Sequence, residues 1–273
     1  MRDVHNLSRL SKNVDETRND LQRVVDILMN EFGCSVSVNQ DGQNFMGLFF
    51  QDQPMKMNFE NFPKILFIDA TYKVNELRIP AYIFLVEDSL GQSEVVGVAL
   101  LVNETKESLA WLIKTFAEKN PSSKDKLRVV MADKDINERN RIAELLGVPI
   151  LICLFHALKS FKRELAALSL TAPIKEEAKR LFEQMCYAHN ELDFEKSEKD
   201  FELLQSKELI DCYQKDSKPI RKEWVKCFKA KAGDFLNSTN NRLESFNSKL
   251  KTVLNNHSSL EEFTETLKVF IFI

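Results

Sequence analysis

Three carboxylates stand in this sequence where divalent-metal chemistry would need them. Asp69 and Asp133 each close a short apolar run, and Glu244 falls near the start of a helical pattern. Phosphoryl transfer with two metals needs hard oxygen ligands on rigid elements, with cations about 3.5–4 Å apart flanking the reacting phosphate. Strand ends suit that work. Asp69 follows Ile65-Leu66-Phe67-Ile68, and the next residues, Ala70-Thr71-Tyr72, lack the glycine or proline that a turn would favour. Glu244 has a rival role, because Asn241 and Glu244 have capping-box spacing, as do Asp135 and Glu138. Metal ligand and helix cap both stay open for it at this point.

The elements that must position these acids follow from periodicity. From about Leu7 to Phe32 apolar residues recur at helical spacing, and Gly33 ends the pattern. Ser35 to Val38 alternates, Asp41-Gly42 is a turn signal and Phe45 to Phe50 is apolar again, which predicts a β-hairpin. A polar stretch then runs to Pro63. Ile65–Ile68, ending in Asp69, Pro80–Val86 and Glu94–Val102 read as three strands, antiparallel neighbours joined in part by a hairpin around Ser89-Leu90-Gly91-Gln92. Thr105–Glu118 reads as a helix stopped at Asn120-Pro121, and Leu127–Ala132 as a strand delivering Asp133. Asp135–Leu146 is predicted to be a helix closed by Gly147, and Val148–Phe155 a fifth strand. Three strands, helix, strand, helix, strand is an α/β order with a mixed sheet of five strands. In such an order the first and fourth strands lie side by side, which would bring Asp69 and Asp133 to one edge.

Beyond His156 the charge density rises and β-branched runs vanish, so the chain to about Ala232 reads as an all-helical insertion. The predicted divisions are 1–63 (helix and hairpin), 64–156 (first part of the core), 157–233 (insertion) and 234–273 (closing helices), the last comprising Asn240–Leu254 and a helix from about Ser259. The apolar run Val269–Ile273 reads as a helix cut short or a docked terminus.

Composition narrows the function classes. With 273 residues and 44% hydrophobic content, one substantial core is expected. A net charge of −3 leaves no global nucleic-acid footprint, so contact with a polyanion would fall to local patches. Lys159, Lys162 and Arg163 form one such cluster, and Lys215, Lys218, Arg221, Lys222, Lys226, Lys229 and Lys231 another. Trp224 and Phe228 sit within the second cluster at helical spacing, which favours core packing over base stacking. Phosphate contact is expected of Lys159, Lys162, Arg163, Arg221, Lys222 and Lys226 in particular. Five scattered cysteines without a CxxC pair favour a reducing compartment. No apolar run reaches the roughly twenty residues of a membrane span. Cys153-x-x-His156 and Cys186-x-x-His189 share a spacing, yet paired CxxC spacing is the usual mark of structural zinc, so no zinc is expected. His156, read as standing at a strand end, is expected to orient a ligand or contact phosphate.

Four segments together carry a family resemblance: FIDATYK around Asp69, MADKDINER around Asp133, ICLFHALKSFKRE over Cys153 and His156, and TNNRLESFNSKLK around Glu244. In that order they resemble the Mutator-like (MULE) transposase domain, and more narrowly the RNase H-like region of zinc-finger SWIM-domain proteins of types one and three. The resemblance implies an RNase H-like fold, Asp69, Asp133 and Glu244 as a DDE triad, Cys153 and His156 as the C(2)H motif, and the intervening segment as the helical insertion. It implies magnesium or manganese as cofactor, DNA as partner and the nucleus as location, with homo-oligomers left open and no membrane. Relatives of this kind carry a zinc-binding DNA-recognition module before the core and a SWIM zinc finger after it. Neither lies within these residues, which leaves a fragment, a truncated element or a domesticated derivative as readings. Three functions follow: a DDE transposase cutting DNA and transferring strands, a non-catalytic nuclear platform for DNA or protein, and a nuclease without strand transfer. Retention of three acids together favours catalysis, since crowded carboxylates repel one another without a cation.

Overall fold

A computed structural model describes residues 21–42, 44–72, 75, 78–132, 139–204, 206–232, 252 and 259–272. Helix α1 (21–26) continues into a wider π-helical turn at Ile27–Glu31, and Gly33, at φ +63°, lets the chain turn away from it. The strands are β1 (Ser35–Asp41), β2 (Asn44–Gln51), β3 (Ile65–Thr71), β4 (Ala81–Glu87), β5 (Ser93–Leu101), β6 (Val129–Ala132) and β7 (Ile150–Ile152). They form a mixed sheet in the order β1-β2-β5-β4-β3-β6-β7. The five predicted core strands are present, β3, β4 and β5 are antiparallel neighbours, and the N-terminal hairpin extends the sheet through β2 and β5. Gly47 permits that junction, since a Cβ there would lie 2.7 Å from the Leu100 carbonyl oxygen.

By its contacts the chain divides into two compact units. The first comprises Met1–Pro63, Phe67–Lys126 and Arg242–Ile273; the second comprises Lys64–Leu66 and Leu127–Asn241. In the first unit β4 is buried almost throughout, as expected of a central strand. Helix α3 (Lys106–Lys119) is capped by Thr105, whose hydroxyl accepts from the Ser108 amide, and buries Leu109, Leu112, Ile113 and Phe116. Phe116 stacks on Phe84 at 4.6 Å and meets Phe49 edge-on at 6.2 Å, tying α3 to β4 and β2. A four-residue turn of helix, α4 (Pro121–Lys124), follows where the sequence signals a stop.

The polar stretch before Pro63 folds as helix α2 (Gln53–Asn61), which corrects the sequence reading. Asp52 caps it by accepting from the Met55 amide, Pro54 occupies its first turn, and only Met55 and Phe59 are buried. Two apolar residues one turn apart are enough to dock a short helix, though too few to announce it. The same Asp52 accepts from Lys268 Nζ at 2.7 Å, and both side chains are buried. Lys268 belongs to the last helix of the chain (Leu260–Phe272), which opens with a reciprocal capping box between Ser259 and Glu262.

In the second unit β6 and β7 are parallel, with helix α5 (Arg139–Leu146) between them in sequence, and Gly147 at φ +70° closes that helix. Among the described residues five helices longer than one turn follow: α6 (Leu154–Ala167), α7 (Ala172–Tyr187), α8 (Glu191–Glu202), α9 (Lys207–Asp216) and, after a 3₁₀ turn and the single turn α10 (Arg221–Trp224), α11 (Lys226–Ala232). Phe161 stacks on Phe182 at 3.9 Å, and Phe182 on Trp224 at 4.8 Å. Trp224 is therefore core, as its spacing predicts, and its indole N–H is satisfied by the Ser217 carbonyl. No helix among the described residues is long and apolar enough to cross a membrane.

Candidate active site

Asp69 lies inside β3, opposite Ile83 of β4, rather than at the strand's end. Asp69 is 9% exposed, and Thr71 after it is buried. Hydrogen bonding to β4 continues through Ala70 and Thr71, so the strand holds the backbone of Asp69 on both sides. Burial of an acid on such a strand is costly unless charge or hydrogen bonds compensate. Asp133 and Glu244 lie outside the described residues. What is described is the approach to Asp133: β6 ends at Ala132, paired in register with Ile152 of β7, so the chain leaves both strands at the same edge.

Tyr82 of β4, whose hydroxyl feels the charge of Asp69, leads to a group that spacing did not point to. Glu104, just before α3, accepts hydrogen bonds at Oε1 from the hydroxyls of Tyr72 (2.8 Å) and Tyr82 (2.5 Å). Burial pushes the Tyr82 hydroxyl far above the usual tyrosine range, helped by the hydrogen bond and charge of Glu104, with smaller contributions from Tyr72 and Asp69. Tyr82 is thus a neutral donor through the whole physiological range. It holds Glu104 where its negative charge and that of Asp69 act on the same hydroxyl. The available signal was weak: Tyr72 sits in the segment that carries the resemblance, but nothing in the spacing links it to Glu104.

The fifth strand is shorter than its apolar run. It ends at Ile152, Cys153 is the N-cap of α6, and His156 falls in the first turn of that helix, not at a strand end. Leu154, Ala157, Phe161 and Leu165 supply the buried helical face that extends the run. Cys153 is fully buried and His156 is 7% exposed. Cys186 is buried in the core of the helical unit, and His189 is exposed.

The basic residues separate into two kinds. Lys159, Lys162 and Arg163 are exposed on α6; Lys222 is exposed, and Arg221 and Lys226 are half-buried. Lys218 is engaged with Glu198 and Glu202 at 3.4 and 3.0 Å. Lys229, a member of the second basic cluster but not one of the residues expected to contact phosphate, is fully buried and donates to the Ile152 carbonyl at 2.9 Å. Among the described residues, Glu164, Cys212 and Asp216 bring potential ligand atoms within 4.8 Å of one another, partly buried between α6 and α9.

Residues 25–148 match the model described as zinc finger SWIM domain-containing protein 1/3, RNaseH-like domain. The chain is similar to Protein FAR1-RELATED SEQUENCE 5 of Arabidopsis thaliana, 26% identical over 239 residues that cover 85% of this chain and 29% of that protein. It is similar also to Protein FAR-RED IMPAIRED RESPONSE 1 of the same organism, 27% identical over 116 residues, covering 42% of this chain and 14% of that protein. A third relative, Protein FAR1-RELATED SEQUENCE 6, is 30% identical over 81 residues, covering 30% of this chain and 11% of that protein. The chain thus spans less than a third of the length of these curated relatives. Residues 25–148 form an RNase H-like domain similar to that of zinc finger SWIM domain-containing proteins 1 and 3, within a chain similar along most of its length to a FAR1-related protein.

Proposed function

We propose that this chain is a DDE-type transposase catalytic domain in which Asp69, Asp133 and Glu244 hold magnesium or manganese for DNA cleavage and strand transfer in the nucleus. The observation that carries the proposal is Asp69, a buried carboxylate on an internal strand of an RNase H-like sheet. The donor set fits a hard divalent cation, since three carboxylates offer only oxygen and β3 fixes the backbone of the first. When bound, such cations lower the pKa of an attacking water and neutralise charge developing on the phosphate. The chain's own side chains do the rest. Asp69 holds its place through the strand, His156 orients neighbouring groups at the start of α6, and Lys159, Lys162 and Arg163 attract the DNA backbone.

A second reading is a non-catalytic nuclear DNA- or protein-interaction domain derived from a transposase. The exposed cations of α6 favour it, because they serve DNA binding whether or not the acids hold metal. Two measurements separate the readings. Magnesium or manganese should raise the melting temperature of the wild type and leave Asp69→Asn and Asp133→Asn unmoved. In a strand-transfer assay with terminal inverted repeats, the wild type should form product and Glu244→Gln should not. A wild type that neither gains stability from metal nor forms product is a binding platform.

A further inference from the structure

Helix α6 has a solvent face with its own chemistry. Leu154, Ala157, Phe161 and Leu165 are buried, whereas Phe155, Lys159, Lys162 and Arg163 are exposed. These four follow one another at intervals of four, three and one residues, so they form one stripe along the helix. The ring of Phe155 is 41% exposed at the head of the stripe. Lys159 Nζ stands 5.7 Å from its centroid, and the ring of His156 lies 5.6 Å away at 70°. Glu164, the acid next to the stripe, is engaged by the Ser160 hydroxyl at 3.0 Å. Phe155 lies three residues beyond Ile152, at the edge where the chain also leaves β6 toward Asp133.

We propose that Phe155 is a stacking platform for an unpaired base, with Lys159, Lys162 and Arg163 holding the phosphates of the same strand. This face then takes a single-stranded or frayed nucleic-acid end in preference to intact duplex. The aromatic ring makes the distinction. Cations alone bind any polyanion, but a free ring face gains from a base whose own face is free, and bases inside a duplex are already stacked. Residues four apart on a helix are about 6 Å apart along its axis, the scale of a nucleotide step in an extended strand. An acidic peptide would satisfy the lysines and gain nothing from the exposed ring. The inference shares with the proposed function the premise that the ligand is nucleic acid, but it needs neither metal nor cleavage.

The test is a fluorescence-anisotropy titration of the full chain in EDTA, using one blunt DNA duplex, the same duplex with a short unpaired tail, and the free single strand. Phe155→Leu should weaken binding to the tailed duplex and the single strand roughly ten- to a hundredfold and leave the blunt duplex within about twofold, with Phe155→Tyr restoring the loss. Lys159→Gln with Lys162→Gln should weaken all three and flatten the salt dependence. The inference is overturned if Phe155→Leu changes nothing, if it weakens all three substrates equally, or if the wild type binds none. Displacement of the oligonucleotides by polyglutamate at matching affinity would also overturn it and assign the face to an acidic protein. Because the titration excludes metal, a protein that never cleaves DNA still reports on the stripe. Loss of the Phe155 effect, conversely, leaves the metal-dependent reading intact.

Discussion

Replacing Lys268 by methionine should destabilise the first unit heavily, and the structure says why. Lys268 and Asp52 are 1% and 4% exposed and 2.7 Å apart, and the Lys268 ammonium also lies 5.3 Å from the centroid of the Phe32 ring. Removing one member of a buried ion pair leaves the other desolvated and uncompensated, at a cost of about 3–5 kcal/mol. At a urea dependence of about 2 kcal/mol per molar, Lys268→Met should lower the unfolding midpoint by about 1.5–2.5 M. Asp52→Asn should also destabilise, by stranding the ammonium, although asparagine can still accept from the Met55 amide and cap α2. The double variant Lys268→Met/Asp52→Asn removes both charges and keeps the cap, so it should recover most of the loss and reveal a coupling of about 3 kcal/mol. The assay is urea unfolding of all four proteins followed by far-UV circular dichroism. Single variants that each cost less than about 1 kcal/mol, or losses that simply add in the double variant, would refute the burial argument.

Three other outcomes are expected. Lys229→Met should cost about 1–3 kcal/mol, because the Ile152 carbonyl loses its buried donor, and leave the salt dependence of DNA binding unchanged, whereas Lys226→Gln should reduce that salt slope by about one. Above the ordinary tyrosine value of 10.0 the protein should lose stability steadily: burial raises the hydroxyls of Tyr82 and Tyr213 in the folded state, so the unfolded chain releases protons that the folded chain keeps. Urea midpoints between pH 8 and 11 should show the decline, and Tyr82→Phe/Tyr213→Phe should flatten it. Titration with a disulfide thiol reagent should find one fast-reacting cysteine, Cys212, which is half-buried; the other four are buried, and burial pushes the Cys34 thiol up. A fast thiol remaining in Cys212→Ser would contradict that packing.

The curated relatives are longer proteins of which this chain matches less than a third, and the family model covers residues 25–148. Strands β1 to β6 and Asp69 fall within that match, whereas β7, the exposed stripe of α6 and most of the helical unit lie after it. Binding and cleavage therefore need separate assays.

Element type was legible where local pattern and tertiary demand coincide. Alternation around Asp41-Gly42, continuous apolar runs for β3 to β5 and the i, i+3, i+4 pattern of α3 each imply one partner surface, and each element formed. Helical spacing also assigned Trp224 to the core, where it is buried. Packing decided the rest. An apolar run from Val148 to Phe155 suits a strand or a buried helix start equally, and only its neighbours end β7 at Ile152 and turn Cys153 and His156 into helix residues. Lys226 and Lys229 are alike in composition, yet one reaches solvent and the other caps a strand carbonyl, because three residues along a helix is most of a turn. Asp52 and Lys268 are 216 residues apart, and Tyr82 and Glu104 are 22 apart; no local spacing can encode either pairing, which exists only when the folded backbone brings distant elements into contact.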